Sequence, residues 1–162
     1  MSRFYTVVFP AVGAALVAVT AAQDLFTIQP AANKPVRIWK IKLGQTSDLA
    51  DAAEEILDIR LMRVPATITI TGGTANTPRL VAATGAAFGG TATTQNTTLA
   101  TSTGTIEMLE TFSPNTRVGE DTSLIPESLY TFVNGTAMVL RLFTAPTDSL
   151  SMSGTMLIEE LG

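Results

Sequence analysis

Two long stretches of alternating apolar and polar residues constrain the fold of this chain more than any other feature. The first, KPVRIWKIKL, runs from Lys34 to Leu43, and the second, ILDIRLMRV, runs from Ile56 to Val64. Successive side chains of a β-strand point to opposite faces, so each stretch places an apolar set on one face. Those sets are Trp39, Ile41 and Leu43 in the first strand and Leu57, Ile59 and Leu61 in the second. The pattern predicts two long strands that organise a sheet.

Further strand patterns fill most of the remaining chain. They cover residues 4–9, 14–20, 24–29, 66–71, 105–112, 129–133, 137–144 and 150–161, the last interrupted near Gly154. Asn134-Gly135, between two of them, is the strongest short signal for a β-hairpin. Many short strands separated by turns predict an all-β fold, an antiparallel sandwich or barrel, as a single domain over residues 1–162. One short helical piece is expected between Ser47 and Ile56, with Ser47 or Asp48 as its cap.

The segment from Thr74 to Thr103 differs from the rest of the chain. It consists mainly of Thr, Ala, Gly and Asn, and Arg79 is its one charged residue. Its weak periodicity predicts an extended loop or arm rather than regular structure. A polar arm does not offset its own ordering entropy, so we expect it to lie against a neighbouring subunit or partner. The expected contact residues are Arg79, Leu80, Val81, Phe88 and Leu99, with Phe88 as the main anchor.

The first 22 residues contain an apolar run that imitates a signal peptide. The run is interrupted by Pro10 and Gly13, and the residues before Pro10 alternate as a strand does. It is also short for a membrane span, which needs about 20 apolar residues. We therefore expect two strands with a break at Pro10, and no membrane partner.

Composition removes several classes of chemistry. The chain has no cysteine and no histidine, so it lacks thiolate sites, the commonest general base and the commonest metal ligand. A carboxylate cluster at Asp48, Asp51, Glu54 and Glu55 matches no calcium-binding loop. We expect no catalytic residue, no cofactor and no metal, and the interpretation is that the chain is not an enzyme. A net charge of -4 gives no electrostatic footprint for nucleic acid.

The polar surface is unusual for a domain of this size. Only 15% of the residues are charged, against about 25% in ordinary domains. The expected surface is mainly Thr, Ser, Asn, Gly and Ala, which suits a surface covered by neighbouring subunits. Trp39 alternates with Ile41 and Leu43, so it is expected in the core rather than on a sugar-stacking platform.

Several segments together resemble a group of small uncharacterised proteins of tailed bacteriophages and prophages. They are FTIQPAANKPVRIWKIKLGQTSDLADAAEEILDIRLMRV, TGGTANTPRL and the final APTDSLSMSGTMLIEELG. The resemblance runs from about Val19 to the last residue and is weakest between Ala82 and Thr103. It implies a jelly-roll-like sandwich, assembled as a homotrimer, that belongs to a virion.

The role that the resemblance implies is structural. The first hypothesis is a capsid decoration (cement) protein on the capsid surface that binds and stabilises the lattice of the major capsid protein. A tail, neck or fibre-base component is a second hypothesis. A secreted carbohydrate- or receptor-binding β-sandwich is a third, which exposed aromatic residues around Trp39 or Tyr130 would favour.

Overall fold

The structure is a computed structural model that describes residues 2–16, 18–46, 55–65 and 68–162. Its strands are β1 (Arg3–Phe9), β2 (Ala18–Val19), β3 (Gln23–Gln29), β4 (Val36–Gln45), β5 (Ile59–Pro65), β6 (Ile68–Thr71), β7 (Thr74–Asn76), β8 (Arg79–Leu80), β9 (Thr91–Asn96), β10 (Thr98–Ser102), β11 (Glu107–Phe112), β12 (Glu120–Ser123), β13 (Thr131–Phe132), β14 (Thr136–Leu142) and β15 (Leu150–Glu160). A 3-10 turn at Pro126–Ser128 is the one helical element within the described ranges. The prediction of an all-β fold is confirmed.

The strands form two packed antiparallel sheets and a smaller outer layer. The first sheet has the order β12-β4-β15-β1-β8, with β13 also paired with β4 and β2 with β15. The second sheet has the order β11-β5-β14-β3-β9-β7, and the outer layer is β10 paired with β6. When β6 to β10 are set aside, the two sheets have the central orders β1-β15-β4-β12 and β3-β14-β5-β11. That arrangement, with the chain crossing repeatedly between sheets, is a jelly roll.

The core lies between the facing sides of the two sheets. The apolar set predicted for the second strand is confirmed: Leu57, Ile59 and Leu61 are all buried. Met138, Leu140 and Leu142 of β14 are fully buried in the same cluster. Strand β1 contributes its alternate residues to the same cluster, namely Tyr5, Val7 and Phe9. Full burial of such a side chain stabilises the fold by about 1.5–3 kcal/mol, so this face of each strand fixes its register.

The segment between β5 and β11 is an insertion that widens both sheets, and it is not the loop predicted for residues 74–103. Strands β7 and β9 add to the second sheet beyond β3, while β8 adds to the first sheet beyond β1. Strand β9 was not predicted, because its Thr-rich sequence lacks apolar alternation. It is a strand because its backbone pairs with β3 over Thr91–Asn96. We expected a neighbouring subunit to offset the entropy cost of ordering this segment. Pairing of β7, β8 and β9 with strands of the same chain does so instead.

Strands β6 and β10 form a third layer on the outer face of the second sheet. A second hydrophobic cluster lies beneath them and joins Met62, Val64, Ala137, Val139 and Ala100, with Ile68 and Ile70 packed against it. Ala100 is the contribution of β10 and is almost fully buried. The outer face of β5 and β14 is therefore covered by the chain itself at this position.

The prediction that Trp39 belongs to the core is wrong, because β4 contains a bulge. Lys40 pairs with Leu157 and Ile38 pairs with Ile158, so the register between β4 and β15 shifts at Trp39. Even-numbered residues of β4 face the core before the bulge and odd-numbered residues face it afterwards. The buried residues of β4 are consequently Val36, Ile38, Ile41 and Leu43. An extra residue in one strand of an antiparallel pair has this effect, and alternation alone does not reveal it.

Three smaller expectations also differ from the structure. Asn134-Gly135 does form a turn, closed by the Thr136 N–H and the Val133 carbonyl, but β13 pairs with β4 and β14 pairs with β3 and β5. The turn thus carries the chain between sheets instead of forming a hairpin. Of the described residues in the strand predicted at 14–20, only Ala18–Val19 form one. Strand β15 runs unbroken through Gly154, where a Cβ would lie 2.5 Å from the Phe9 ring.

The helical piece predicted over Ser47–Ile56 lies outside the described residues except at its end. Glu55 and Ile56 are not helical, and Ile56 forms an isolated antiparallel bridge with Asn115. The carboxylates Asp48, Asp51 and Glu54 also fall outside the described ranges. Within those ranges no helix is long and apolar enough to span a membrane.

Candidate interaction surface

The outer face of the first sheet carries an apolar groove beside its edge strand β8. The groove has a volume of about 520 Å³ and is lined by Ser2, Arg3, Phe4, Leu80, Val81, Ala82, Thr84, Gly85 and Leu157. We call it the β8 groove. Phe4 is 36% exposed and Val81 is 59% exposed, so both large apolar side chains contact solvent. Exposed apolar surface of this kind marks interaction sites when it is contiguous.

The pairing of β1 with β8 determines how the groove is built. Thr6 pairs with Arg79 and Tyr5 with Leu80, and the Val81 N–H donates to the Phe4 carbonyl at 2.9 Å. Because neighbouring residues alternate between faces, Leu80 packs partly against the core while Val81 stays exposed. The segment after β8 is exposed from residue 81 to residue 87.

Trp39 extends the apolar surface from the β8 groove toward the middle of the sheet. Its ring meets the Phe4 ring edge to face, with centroids 5.6 Å apart. Its indole N–H donates to Glu159 Oε2 at 2.9 Å, and Glu159 itself is buried. The bulge in β4 and this hydrogen bond fix the tryptophan on the outer face, where it is half-buried.

The loop after β8 is attached to its own domain by three contacts around Tyr5. The Tyr5 hydroxyl donates to the Ala86 carbonyl at 2.9 Å, and the Tyr5 and Phe88 rings pack edge to face at 5.4 Å. The Gly89 N–H donates to Glu160 Oε1 at 2.7 Å. Burial, and then the charge of Glu160, raise the pKa of the Tyr5 hydroxyl above 10.0. The neutral phenol therefore holds the loop at neutral pH.

The predicted contact residues separate into three groups. Arg79, Leu80 and Val81 lie together along β8 and the start of the loop. Phe88, expected as the main anchor on a neighbour, packs against Tyr5 and the core of its own chain. Leu99 lies on β10 in the third layer, on the other side of the sandwich, and is half-buried.

Sequence reasoning did not identify Phe4, Trp39 and Leu157 as parts of this surface. For Phe4 a signal was present, because it alternates with Tyr5, Val7 and Phe9, which form the buried face of β1. For Leu157 and Trp39 the position follows from the pairing of β15 with β4 and its bulge, which the local alternation of apolar residues does not reveal.

The opposite end of the same face is charged. Lys40 and Lys42 both pair with Asp121, at 2.7 and 3.2 Å. Their ammonium groups, that of Lys40 first, hold the pKa of the Asp121 carboxyl below 3.8. The face thus combines an apolar end at β8 with an ion-paired end at β12. Among the residues that the structure describes, no group of three or more carboxylates could hold a metal ion.

Comparison with protein-family models, curated proteins and solved structures finds no match.

Proposed function

We propose that this protein is a bacteriophage virion structural protein that decorates the capsid and stabilises the lattice of the major capsid protein, acting as a homotrimer. The observation that carries the proposal is the β8 groove, an exposed apolar depression beside an edge strand of a jelly roll. The sequence resemblance to phage and prophage proteins and the low fraction of charged residues support it. The jelly roll is a fold that viral capsid proteins use, but it also occurs in lectins and cupins.

The groove suits a protein partner better than a small ligand. It is open, and one wall is β8, a strand of two residues that lies at the edge of the first sheet, with no further strand beyond it among the described residues. Edge strands of this kind can pair with another chain. Stable protein interfaces bury about 800 Å² per partner, more than the groove alone offers. The exposed loop 81–87, the ring of Trp39 and the strip between them supply additional surface. A partner that binds only the assembled lattice stabilises that lattice by mass action.

The copy number of the protein in purified particles tests the proposal directly. Quantitative mass spectrometry should find it in hundreds of copies per particle if it decorates the shell. Tens of copies or fewer would place it in the tail, neck or fibre base instead. Its absence from the particles would end the virion proposal.

Variants of the groove test which surface makes the contact. Val81→Asp places a charge in the groove and should remove the protein from particles, because the carboxylate would lose its hydration when the partner covers the groove. Val12→Asp is the matched control, since Val12 is 73% exposed and lies outside the groove. Retention of both variants at equal occupancy would exclude the β8 groove as the capsid contact. Light scattering on the purified protein tests the trimer separately.

A second candidate function is binding of a carbohydrate or receptor through the same face. Trp39 favours it, because the indole lies on the outer face and not in the core. Trp39 is half-buried, so part of its side chain contacts solvent and could stack against a sugar. Loss of host adsorption by particles that carry Trp39→Ala, with unchanged copy number, would favour this candidate over decoration.

A further inference from the structure

The outer face of the first sheet is open, whereas that of the second sheet is partly covered. Strands β6 and β10 lie on the second sheet, but among the described residues no strand lies on the outer side of the first. The middle strand, β15, turns Met152 and Met156 into the core and presents the small hydroxyl side chains of Ser151, Ser153 and Thr155 outward. We call the outward residues of β12, β4, β15, β1 and β8 the first-sheet face.

A second depression lies on the first-sheet face and shares no lining residue with the β8 groove. Its volume is about 620 Å³, and Val8, Lys42, Ser153 and Thr155 contribute to its lining. Gly44, which pairs with Ser153, leaves the depression open, because a Cβ at Gly44 would meet no atom within 4 Å. The face therefore has two concave regions, which suit the projecting side chains of a protein surface.

The first-sheet face is large enough for a stable protein interface. Its five strands span about 24 Å across, and β15 with its 11 residues runs about 37 Å along it. A partner that covers this area reaches the roughly 800 Å² per protein that stable interfaces bury, which the β8 groove alone does not offer. The β8 groove is thus one end of a larger surface.

The charge of this face is opposite in sign to that of the whole chain. With both depressions included, the face carries five basic and three acidic side chains, a net charge of +2. The chain has 10 basic and 14 acidic residues, a net charge of -4, so its other residues sum to -6. The basic side chains of the face are Arg3, Arg37, Lys40, Lys42 and Arg79. Its acidic side chains are Glu120, Asp121 and Glu159.

The basic side chains are more available to a partner than the acidic ones. Glu159 is buried and bonded to the indole N–H, and both carboxylate oxygens of Asp121 are paired, Oδ1 with Lys40 and Oδ2 with Lys42. Arg79 is exposed on the outward side of β8, and the Lys42 side chain is 54% exposed. The potential that this face presents to an approaching partner is therefore positive.

We propose that the first-sheet face binds an acidic patch on a protein partner, with apolar side chains of that partner in the β8 groove. The inference rests on the proposed function and specifies the chemistry of the capsid surface that the protein contacts. The partner places its acidic groups opposite β4 and its apolar side chains opposite β8, three strand spacings or about 14 Å away. Charge at one end and apolar contact at the other fix the orientation of the bound protein.

Two other occupants fit this face less well. A second copy that met it across a two-fold axis would bring together two surfaces of the same positive charge. A nucleic acid would bring its phosphates against Asp121 and against the exposed apolar side chains of Phe4 and Val81. A protein surface with an acidic and an apolar part matches both ends of the face.

Binding of the full-length protein to particles assembled without it tests the proposal. The affinity, measured by co-sedimentation between about 50 and 500 mM sodium chloride, should fall as salt rises, because screening weakens contacts between exposed charges. The double variant Lys42→Gln and Arg79→Gln removes two positive charges from the face. It should lower the affinity about tenfold at the lowest salt concentration and show a shallower salt dependence.

A second double variant, Thr98→Glu and Thr101→Glu, is the matched control. It lowers the net charge of the protein by the same two units, but both threonines are exposed on β10, in the layer over the second sheet. The affinity of this variant should remain that of the unmodified protein. Equal losses in the two double variants would show that net charge alone controls binding, and would overturn the proposal.

Gly44→Val tests the shape of the face without changing its charge. The added side chain has open space in the free protein, and valine is favoured in strands, so the fold should be retained. A partner seated on the depression would be displaced, and the affinity should fall about fivefold or more. Circular dichroism of the purified variant confirms the fold independently of binding.

Failure of this inference differs from failure of the proposed function. Binding that is equally tight at every salt concentration, in Gly44→Val and in the Lys42→Gln and Arg79→Gln variant, would exclude the acidic partner and leave capsid decoration standing. Absence of binding by the unmodified protein would overturn both. Release of the bound protein from particles by a short DNA duplex would make nucleic acid the occupant of the face and overturn the proposal.

Discussion

Asp24 and Arg141 face each other across β3 and β14 and form a buried ion pair beneath the third layer. Arg141 Nε lies 2.5 Å from Asp24 Oδ1, and Arg141 Nη2 donates to the Ala100 carbonyl at 2.9 Å. The Ala100 N–H donates in turn to Asp24 Oδ2 at 2.6 Å. The charges of Asp24 and Arg141 and the backbone N–H and carbonyl of Ala100 therefore all have partners within one network. This network attaches β10 to the second sheet.

Removal of one partner of this pair should strongly destabilise the fold. Arg141→Met leaves the Asp24 carboxylate buried and uncompensated, and the free energy of unfolding in urea should fall by about 3–5 kcal/mol. Replacing both residues, as in the Asp24→Leu and Arg141→Met double variant, should cost less than the sum of the single changes. Amide exchange at Ala100 should accelerate in each variant.

The two exposed ion pairs that Asp121 forms with Lys40 and Lys42 are the control for that experiment. Asp121→Asn should change stability far less than Arg141→Met, because the Asp121 side chain is half exposed and screened by solvent. Equal losses in the two variants would contradict the burial argument.

Deletion within the insertion should unfold the domain or destabilise it severely. Removing residues 83–98 takes away β9, which pairs with β3 and buries Ala92, Thr94 and Asn96. Replacing residues 82–87 by a Gly/Ser segment of the same length should leave the fold intact, because this stretch is exposed and Tyr5 bonds to it through a backbone carbonyl. Circular dichroism and thermal melting distinguish the two. A stable, cooperatively folded 83–98 deletion would restore the arm hypothesis.

Stability should decline at alkaline pH through Tyr5. Its folded pKa is raised, by burial first and by Glu160 second, so the unfolded chain releases the proton at a lower pH than the folded one. The stabilisation is complete below about pH 10 and is lost as pH rises from that value through the higher folded pKa. Tyr5→Phe should reduce the slope of stability against pH in this window.

Tyr130 provides the comparison for the alkaline experiment. It is the other tyrosine in the chain, and its pKa is also raised, by burial and then by Glu110. Tyr130→Phe should remove its own part of the slope, and the double variant should lose both parts. At neutral pH Tyr5→Phe should cost about 0.5–1.5 kcal/mol for the hydrogen bond to Ala86. An unchanged alkaline slope in the double variant would show that other groups control it.

The fluorescence of Trp39 should report on the β8 groove and its surroundings, since it is the single tryptophan of the chain. Glu159→Leu removes the acceptor of the indole N–H, so the emission should move to longer wavelength and acrylamide should quench it more strongly. Glu159→Gln keeps an acceptor and should resemble the unmodified protein. The loss of stability in Glu159→Leu should be about 1.5–3 kcal/mol, the range for hydrogen bonds to charged groups. Identical quenching in both variants would contradict the assigned contact.

Alternation predicted the parts of the fold that depend on local sequence, and failed where pairing between distant strands decides the structure. The buried faces of β5 and β14 follow from apolar residues two apart, such as Ile59 and Leu61. The outward position of Trp39 depends on a bulge defined by β15, more than 100 residues along the chain. Asn134-Gly135 predicted a turn correctly but not the partners of the strands on either side. Turn chemistry is local, whereas sheet membership is set by the whole core.

Residues of the candidate surface were likewise predictable where the local sequence marks them, and not where strand pairing places them. Arg79, Leu80 and Val81 were identifiable because they interrupt a polar stretch, and the structure places them at the β8 groove or beside it. Trp39 and Leu157 were not identified, because their place at this surface follows from the pairing of β15 with β4.

The position of β15 determines when the interaction surface comes into existence. β15 lies between β4 and β1 in the first sheet and pairs with both of them. β4 and β1 therefore cannot be joined into one sheet until residues 150–160 have left the ribosome. Contacts of such long sequence separation form late and slowly during folding. Leu157 of β15 also lines the β8 groove, and Glu159 holds Trp39 beside it. A nascent or truncated chain that lacks β15 therefore cannot form the complete β8 groove or hold Trp39 beside it.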